Sequence, residues 1–180
     1  MPETLEFDIV LYPEPLLRKV ADPVQAFDDE LTRIVEAMYQ RMFDSNGLGL
    51  AAPQVGLRRR ILVINEGSNP EEPEHNVTLI NPRIVSRDGE KTTHEEGCLS
   101  FPEIYAEVVR PERCTVEAFD LRGEPLRREF SGFLSRIVQH EFDHLEGILL
   151  VDRMSPADKL KNKVALGELV AEYKDRRASS

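Results

Sequence analysis

The pentapeptide His140-Glu141-Phe142-Asp143-His144 places two histidines four positions apart. On an α-helix, residues at this spacing lie one above the other on the same face, so both imidazoles can reach one ion. Phe133 and Ile137 continue that face upstream at helical spacing. We therefore predict a mostly buried helix from about Ser131 to Leu145 that carries a metal ion on its inward face. The helix positions expected to face outward are Ser135, Arg136, Gln139 and Asp143.

The alternative is that both histidines are core residues satisfied by hydrogen bonds, with Glu141 on a solvated edge. Burying two imidazoles and a carboxylate together is costly without a compensating cation, so the metal-site interpretation is favoured. The motif alone does not identify an enzyme class. It recurs in metalloproteases, where the glutamate is the general base, so the third metal ligand must discriminate between classes.

Three candidates for the third ligand follow from the sequence. A histidine at the last position of the metzincin pattern is excluded, because that position is Leu150. A downstream carboxylate, Glu168 or Glu172, would make a thermolysin-like site, although glutamates on such a helix are more often solvated. Cys98 is the remaining candidate, since a thiolate is a good ligand for zinc or ferrous iron. The cysteine and histidines interpreted as non-ligands are Cys114, His75 and His94.

Length and composition favour one domain over residues 1–180. The chain has no run of about 20 apolar residues, the length that crosses a bilayer. Its N-terminus lacks the basic start and apolar run of a signal peptide, so we expect a cytoplasmic protein with no membrane contact. A net charge of −10 argues against a protein that wraps nucleic acid and against specific DNA binding, although it leaves room for local basic patches.

Outside the histidine helix, the pattern predicts an α+β fold: antiparallel sheets packed around the buried metal-binding helix, plus a C-terminal helix. An amphipathic helix is predicted over 28–42, and the C-terminal helix begins at Ser155-Pro156, a good N-cap and a good first helical residue. Residues 66–76 form an exposed polar loop, and residues 178–180 form a frayed tail. Strands are predicted over 60–65, 77–85, 105–110, 114–120 and 126–130, with a turn at 122–125.

Three segments occur together and in this order: Gly47-Leu48-Gly49-Leu50-Ala51-Ala52-Pro53-Gln54, Glu96-Gly97-Cys98-Leu99-Ser100 and Gln139-His140-Glu141-Phe142-Asp143-His144-Leu145-Glu146-Gly147. With them, the chain closely resembles the peptide deformylase family. The resemblance spans nearly the whole chain, from a Tyr-Pro-x-Pro-x-Leu-Arg opening to a C-terminal helix like that of the bacterial type I enzymes. One variation is Tyr105, where some members have an arginine in contact with the substrate chain.

The resemblance implies a metal-dependent amidohydrolase that removes the N-terminal formyl group from the formylmethionine of nascent polypeptides and releases formate. Metal-bound water would attack the formyl carbon, with Glu141 as general base and then general acid. The side-chain amide of Gln54 and the backbone N–H of Leu99 would stabilise charge on the carbonyl oxygen. One divalent ion, with ferrous iron expected and zinc, nickel or cobalt as alternatives, would be held by Cys98, His140 and His144.

The N-formylmethionyl peptide would place its methionine side chain in an apolar pocket. By the same resemblance, the basic C-terminal helix is a candidate contact with the ribosome, and we expect the chain to act as a monomer. The residues expected to bind the substrate are Leu48, Gly49, Glu96, Phe133 and Ile137.

Two other classes of protein compete with this interpretation. A zinc endopeptidase would use a carboxylate in place of Cys98, whereas a structural zinc module would need a fourth protein ligand such as His94 or Cys114. In a structural module, Glu141 would have no task. The position of Cys98 relative to the two histidines therefore discriminates among the three classes.

Overall fold

An antiparallel sheet and a central helix form the frame of the protein. The computed structural model describes residues 4–180; residues 1–3, which belong to the stretch that predicts the absence of a signal peptide, lie outside the described residues. Within this range the strands are β1 (Gly49–Ala51), β2 (Ile61–Ile64), β3 (Val77–Cys98), β4 (Phe101–Phe119) and β5 (Pro125–Ser131). The helices are α1 (Asp29–Asp44), α2 (Gly132–Leu145), α3 (Leu150–Arg153), α4 (Pro156–Lys161) and α5 (Lys163–Ala178). Short 3₁₀ turns span Pro15–Arg18, Ala52–Val55 and Pro73–His75.

The strands of the sheet follow chain order, β1-β2-β3-β4-β5, and each neighbouring pair is antiparallel. This order confirms the predicted α+β class. β3 continues to Cys98, well beyond the predicted end at Val85, and the strands predicted over 105–110 and 114–120 are a single strand, β4. The added part of β3 is mostly polar and exposed, so its pairing with β4, and not its composition, makes it a strand.

A β-bulge lies where β3 ends. Gly97 pairs with Tyr105 whereas Cys98 pairs with Phe101, so residues 102–104 of β4 are extra to the ladder. Bulges re-aim side chains and are frequent next to active sites. The irregular register therefore places Cys98 at the tight turn between the two longest strands.

α1 confirms the amphipathic helix predicted over 28–42. Asp28 caps it, because its side chain accepts a hydrogen bond from the backbone N–H of Leu31 at 3.0 Å. One stripe of the helix is buried against the apolar residues of β1 and β2. That stripe consists of Leu31, Ile34, Val35, Met38 and Met42.

α2 confirms the predicted histidine helix but is buried on more sides than expected. The prediction that Ser135, Arg136, Gln139 and Asp143 face outward is wrong, since all four are buried. β4 packs beside this part of α2 and supplies polar partners. Arg136 donates to the carbonyl of Val108 at 2.8 Å, and Gln139 donates to that of Pro111 at 2.9 Å. The sheet therefore covers the polar face of α2, which the sequence predicts to be exposed to solvent.

The C-terminal helical region begins as predicted, since Ser155 caps α4 by accepting from the backbone N–H of Asp158 at 3.1 Å. It is not one continuous helix, however. Asn162 separates α4 from α5, and its buried side-chain amide donates to the carbonyl of Tyr105 at 3.0 Å. Within residues 4–180, no helix combines the length and the apolar character needed to cross a bilayer.

Candidate metal centre

Two distant segments of the chain converge at the candidate metal centre. Cys98 ends β3, and His140 and His144 lie on α2. Their possible ligand atoms all lie within 4.8 Å of one another, and Sγ of Cys98 is 3.4 Å from Nε2 of His144. The structure therefore brings the three predicted ligands together. The other candidates lie apart from this group: Glu168, Glu172, His75 and His94 are exposed, and Cys114 is buried in the apolar core.

His140 is oriented by a carboxylate. Nδ1 of its ring is 2.9 Å from Oε1 of Glu96, so Nε2 is the nitrogen left for a metal. Although burial opposes a charge on the ring, the hydrogen bonds with Cys98 and Glu96 and the negative charge of Glu141 raise the pKa of His140 well above its ordinary value. The same negative surroundings favour a bound cation.

A buried polar atom in the site lacks a partner: Oε2 of Glu141 has no hydrogen-bond partner among residues 4–180, although buried polar groups are usually paired. Nε2 of His144 is the ring nitrogen that faces Sγ of Cys98. Burial, with the charge of His140, holds the pKa of His144 well below its ordinary value, so the imidazole is neutral and able to act as a ligand. One thiolate and two imidazoles suit zinc or ferrous iron, and three protein ligands leave one position for another ligand. The residues present therefore fit a divalent ion.

Glu141 is buried, and it lines the same cavity as His140. Burial raises the pKa of its carboxyl to about 7, against the opposing charge of His140. Gly49 lies so close to the Glu141 side chain that a Cβ on Gly49 would be 2.8 Å from Cγ of Glu141. A carboxyl group with a pKa near neutrality can both accept and return a proton.

A buried ion network joins the ligand helix to the sheet. The carboxylate of Glu96 accepts hydrogen bonds from Nε and Nη2 of Arg110, at 2.7 and 2.9 Å, and from Nη1 of Arg136 at 2.7 Å. Nη1 of Arg110 also donates to Asp143 of α2 at 3.0 Å. Although burial favours the neutral acid, the hydrogen bonds and charges of His140 and Arg110 hold the pKa of Glu96 well below its usual range. Glu96 is therefore a buried anion, and each of its two carboxylate oxygens is hydrogen-bonded to side chains of this network.

Sequence reasoning missed this network, although one signal was present. Arg110 alternates with Ala106 and Val108 on the inward face of β4. A charged residue at an inward strand position indicates a buried ion pair, since unpaired buried charges are rare. Glu96 was predicted to bind substrate; both of its carboxylate oxygens are engaged by side chains, and its role towards substrate stays a prediction.

Gln54 lies in the 3₁₀ turn Ala52–Val55 and is fully buried. Its Oε1 accepts a hydrogen bond from the backbone N–H of Ala51 at 3.0 Å, which orients the amide. Nε2 then lies 3.5 Å from Sγ of Cys98 and 3.3 Å from Oγ of Ser100. Leu99 occupies the turn between β3 and β4, directly after Cys98. Both residues predicted to supply donors therefore lie beside the candidate ligands.

A cavity of about 590 Å³ opens onto Cys98, His140 and Glu141. Its wall includes all the residues predicted to bind substrate, namely Leu48, Gly49, Glu96, Phe133 and Ile137. It also includes residues that the sequence did not identify: Ser45, Asn46, Gly47, Glu95, Phe101, Arg136 and the bulge 102–104. The bulge was missed because strand register depends on the partner strand, which local composition does not reveal.

Comparison with known proteins gives consistent matches. The profile of the family described as Polypeptide deformylase matches residues 7–160. The peptide deformylase of Thermotoga sp. (strain RQ2) is 46% identical over 154 residues, which cover 86% of this chain and 90% of the relative. That of Rhizobium meliloti (strain 1021) is 39% identical over 172 residues, which cover 96% and 97%.

Solved structures agree with the sequence matches. A plant peptide deformylase has a TM-score of 0.93 at 39% identity, covering 98% of this chain and 95% of the other. A peptide deformylase from Plasmodium falciparum has a TM-score of 0.91 at 42% identity, covering 93% and 98%. Sequence, fold and the arrangement of the site thus lead to one conclusion: this chain belongs to the polypeptide deformylase family.

Proposed function

We propose that this chain hydrolyses the formamide bond at the N-terminus of N-formylmethionyl peptides. Water adds to the formyl carbon, the carbon–nitrogen bond breaks, and the products are formate and a peptide with a free amine. The observation that carries the proposal is the convergence of Cys98, His140 and His144 within 4.8 Å, beside the buried Glu141. A zinc endopeptidase would require a carboxylate there, and the candidates Glu168 and Glu172 are exposed on α5.

The proposed cofactor is one divalent ion held by the thiolate and the two imidazoles. Ferrous iron is our first choice, and zinc, nickel or cobalt are alternatives that the same donors accept. When bound, such an ion supplies an activated water and polarises the carbonyl group of the substrate. The chain's own contribution is to orient the ligands, through Glu96 at His140, and to enclose the reacting atoms in a buried site.

Glu141 moves the proton in this proposal. Its carboxylate takes a proton from the attacking water and returns it to the nitrogen of the departing amine. The pKa of about 7 supports both halves of this role, because neither protonation state is strongly disfavoured at neutral pH. The buried Oε2, which has no hydrogen-bond partner within residues 4–180, is an acceptor available for that proton.

Gln54 and Leu99 stabilise the charge that develops on the carbonyl oxygen. Nε2 of Gln54 is a candidate donor because its Oε1 is fixed by Ala51 and its amide faces the sulfur of Cys98. The backbone N–H of Leu99 is the second candidate. Loss of one such donor typically lowers the rate by about 100- to 1,000-fold.

The substrate's methionine side chain occupies the apolar part of the cavity formed by Leu48, Phe133 and Ile137. Phe133 is 48% exposed although it lies in the cavity wall, which suits a residue that a ligand covers. Gly49 allows the formyl group to approach Glu141, because a larger residue would fill that space.

The remaining expectations concern the protein's setting. We propose that it acts as a monomer in the cytoplasm, where nascent chains carry their formyl groups. The C-terminal helices are the candidate contact with the ribosome, since they expose Lys159, Lys161, Lys163, Lys174, Arg176 and Arg177.

The test is formate release from a formyl-Met peptide by protein purified without oxygen. We expect turnover by the wild type, and a loss of about 100- to 10,000-fold in Glu141→Ala, the usual contribution of general acid–base catalysis. The metal content of Glu141→Ala should stay at the wild-type level. Cys98→Ser should lose metal, whereas the matched variant Glu168→Ala, on exposed α5, should keep both metal and activity.

Each outcome separates the competing classes. Full turnover in Glu141→Ala would refute the proton-transfer role. Metal retained by Cys98→Ser but lost by Glu168→Ala would indicate a zinc endopeptidase with a carboxylate ligand. Metal bound without any formate release from the wild type would favour a structural zinc module.

A further inference from the structure

The loop over residues 66–76, here called the insert loop, is folded around one buried side chain. Asn65 is 0% exposed, and its Oδ1 accepts a hydrogen bond from the backbone N–H of Asn69 at 3.1 Å. Its Nδ2 donates to the side chain of Asn76 at 2.9 Å and also reaches the carbonyls of Asn69 and Glu72 at 3.3 Å. The insert loop is therefore held in one conformation, although its composition is that of a polar connection.

Ser68 connects the insert loop to the cavity wall. Its Oγ donates to the carbonyl oxygen of Gly47 at 2.7 Å, across 21 positions of sequence. Ser68 has φ +47°, a left-handed backbone conformation that is uncommon for a residue other than glycine. Such a conformation costs free energy and persists only where the surrounding structure determines it, often near functional sites.

Gly47 and Leu48 are the part of the cavity wall that Ser68 and Asn65 hold. The carbonyl of Leu48 accepts from the backbone N–H of Asn65 at 2.9 Å, and the N–H of Gly47 donates to Met42 at the end of α1. A Cβ on Gly47 would lie 2.8 Å from Cδ1 of Leu99, so this wall contacts the turn that follows Cys98. Gly49, by contrast, is fixed independently by pairing with Ile64 of β2.

We propose that Ser68 is a positioning residue for substrate binding, acting through the carbonyl of Gly47. The hydrogen bond fixes the peptide plane of Gly47, which precedes the pairing of β1, and so keeps the wall ordered before a peptide enters. This inference rests on the proposed function, since it concerns the binding of the formyl-Met peptide. In this proposal the insert loop supports the wall of the binding site from behind, and none of its residues lines the cavity described above.

The expected consequence falls on binding. Without the hydroxyl, the wall must be ordered by the substrate itself, and that cost lowers affinity. The net contribution of one hydrogen bond predicts a rise in KM of about threefold to tenfold. kcat should change little, because Gly49 and Glu141 keep their positions.

The experiment compares three substitutions of Ser68 with Ser86→Ala, a control at an exposed position of β3. Ser68→Ala and Ser68→Gly both remove the hydroxyl, but glycine also relieves the left-handed backbone. Ser68→Thr keeps the hydroxyl and makes the backbone less favourable, because β-branched residues resist positive φ. For each protein, KM and kcat for formyl-Met peptide hydrolysis, metal content and the thermal unfolding midpoint are measured.

The proposal expects KM to follow the hydroxyl and not the stability. Ser68→Gly should unfold at or above the wild-type temperature yet show the raised KM, whereas Ser68→Thr should unfold earlier yet keep KM within twofold of wild type. Wild-type KM in both Ser68→Ala and Ser68→Gly, or a KM that rises only as the unfolding midpoint falls, overturns it. If Ser68→Thr does not fold, the other two variants decide the test. An equal rise in KM for Ser68→Ala and Ser68→Gly supports the proposal, and a rise in KM for Ser68→Ala alone refutes it. Absence of turnover in the wild type would instead refute the proposed function itself.

Discussion

At the scale of single residues, Gly49 packs closely against Glu141 in the site. A Cβ on Gly49 would lie 2.8 Å from Cγ and 2.9 Å from Oε1 of Glu141, and 3.0 Å from Cγ2 of Ile137. These are side-chain atoms, which can move aside at modest cost in stability. The carboxylate that moves, however, is the one proposed to transfer the proton, and misplacement by about 1 Å can lower a rate by roughly 100-fold.

We therefore predict that Gly49→Ala lowers kcat by about 100-fold while the metal content stays at the wild-type level. The candidate metal ligands are Cys98, His140 and His144, and none of them supplies any of the three atoms nearest to the new methyl group. Formate release and metal per chain are the measurements. Gly167→Ala serves as the control, since a Cβ there would contact no neighbouring atom of residues 4–180 within 4 Å. A kcat for Gly49→Ala within threefold of wild type would contradict the proposed position of Glu141.

At the scale of secondary-structure elements, the end of α2 fixes the orientation of its last turn, which contains His144. Gly147 has φ +72°; its N–H donates to the carbonyl of His144 at 3.3 Å, and the N–H of Ile148 donates to that of Asp143 at 2.9 Å. This pattern is the Schellman motif, which favours glycine at the left-handed position. A Cβ on Gly147 would also lie 2.5 Å from the backbone oxygen of Arg18, in the 3₁₀ turn Pro15–Arg18.

Gly147→Ala is accordingly expected to destabilise the fold more than Gly132→Ala. Gly132, at the start of α2, also has positive φ (+61°), but a Cβ there would contact no neighbouring atom of the described residues 4–180 within 4 Å. Its substitution therefore measures only the penalty of the left-handed backbone, about 1–2 kcal/mol. The clash with backbone at Gly147 should add about 1–3 kcal/mol. Denaturant unfolding of both variants measures the difference. Equal loss of stability in the two proteins would show that the turn near Arg18 moves freely.

At the scale of the whole molecule, the buried ion network joins β3, β4, α2 and α3. Arg110 pairs with Glu96 of β3 and Asp143 of α2, and Arg153 of α3 also donates to Asp143, at 2.8 and 3.0 Å. Removing one member of such a network leaves a buried charge without its partner. The candidate metal ligand His140 contacts the same network through Glu96. Stability and metal binding should therefore be coupled.

Arg110→Met should destabilise the protein by about 3 kcal/mol, the lower end of the range for a broken buried pair, because Glu96 and Asp143 lose their shared partner but keep Arg136 and Arg153. The matched control is Arg113→Met on the same strand, where the ion pair with Asp88 is exposed and screened by solvent, so little change is expected. Chemical unfolding is measured on metal-free and metal-loaded protein. We also expect Arg110→Met to bind metal more weakly, since the orientation of His140 relaxes. Equal effects of the two substitutions would exclude a special role for the network.

Local sequence patterns predicted α1, α2, the start of α4, the α+β class and the three candidate ligands. These features were predictable because helical spacing, capping residues and ligand chemistry are local properties that adjacent residues display. Cys98, His140 and His144 could be identified as one candidate ligand set from their residue types and from the resemblance to a known family. The residues predicted to bind substrate come from the same resemblance; all of them line the cavity, and their role towards substrate stays a prediction.

The burial of individual polar residues, and the partners that they contact, depend on how distant segments of the chain come together. Arg136 and Asp143 indicated an outward face of α2, yet β4 covers that face and neutralises their charges. The exposed half of β3 is a strand because β4 lies beside it, and Ser68 reaches Gly47 because Asn65 folds the insert loop back. In each case the partner comes from a distant part of the chain. Burial of a charged or polar group is favourable only with that partner present, so no local pattern could reveal it.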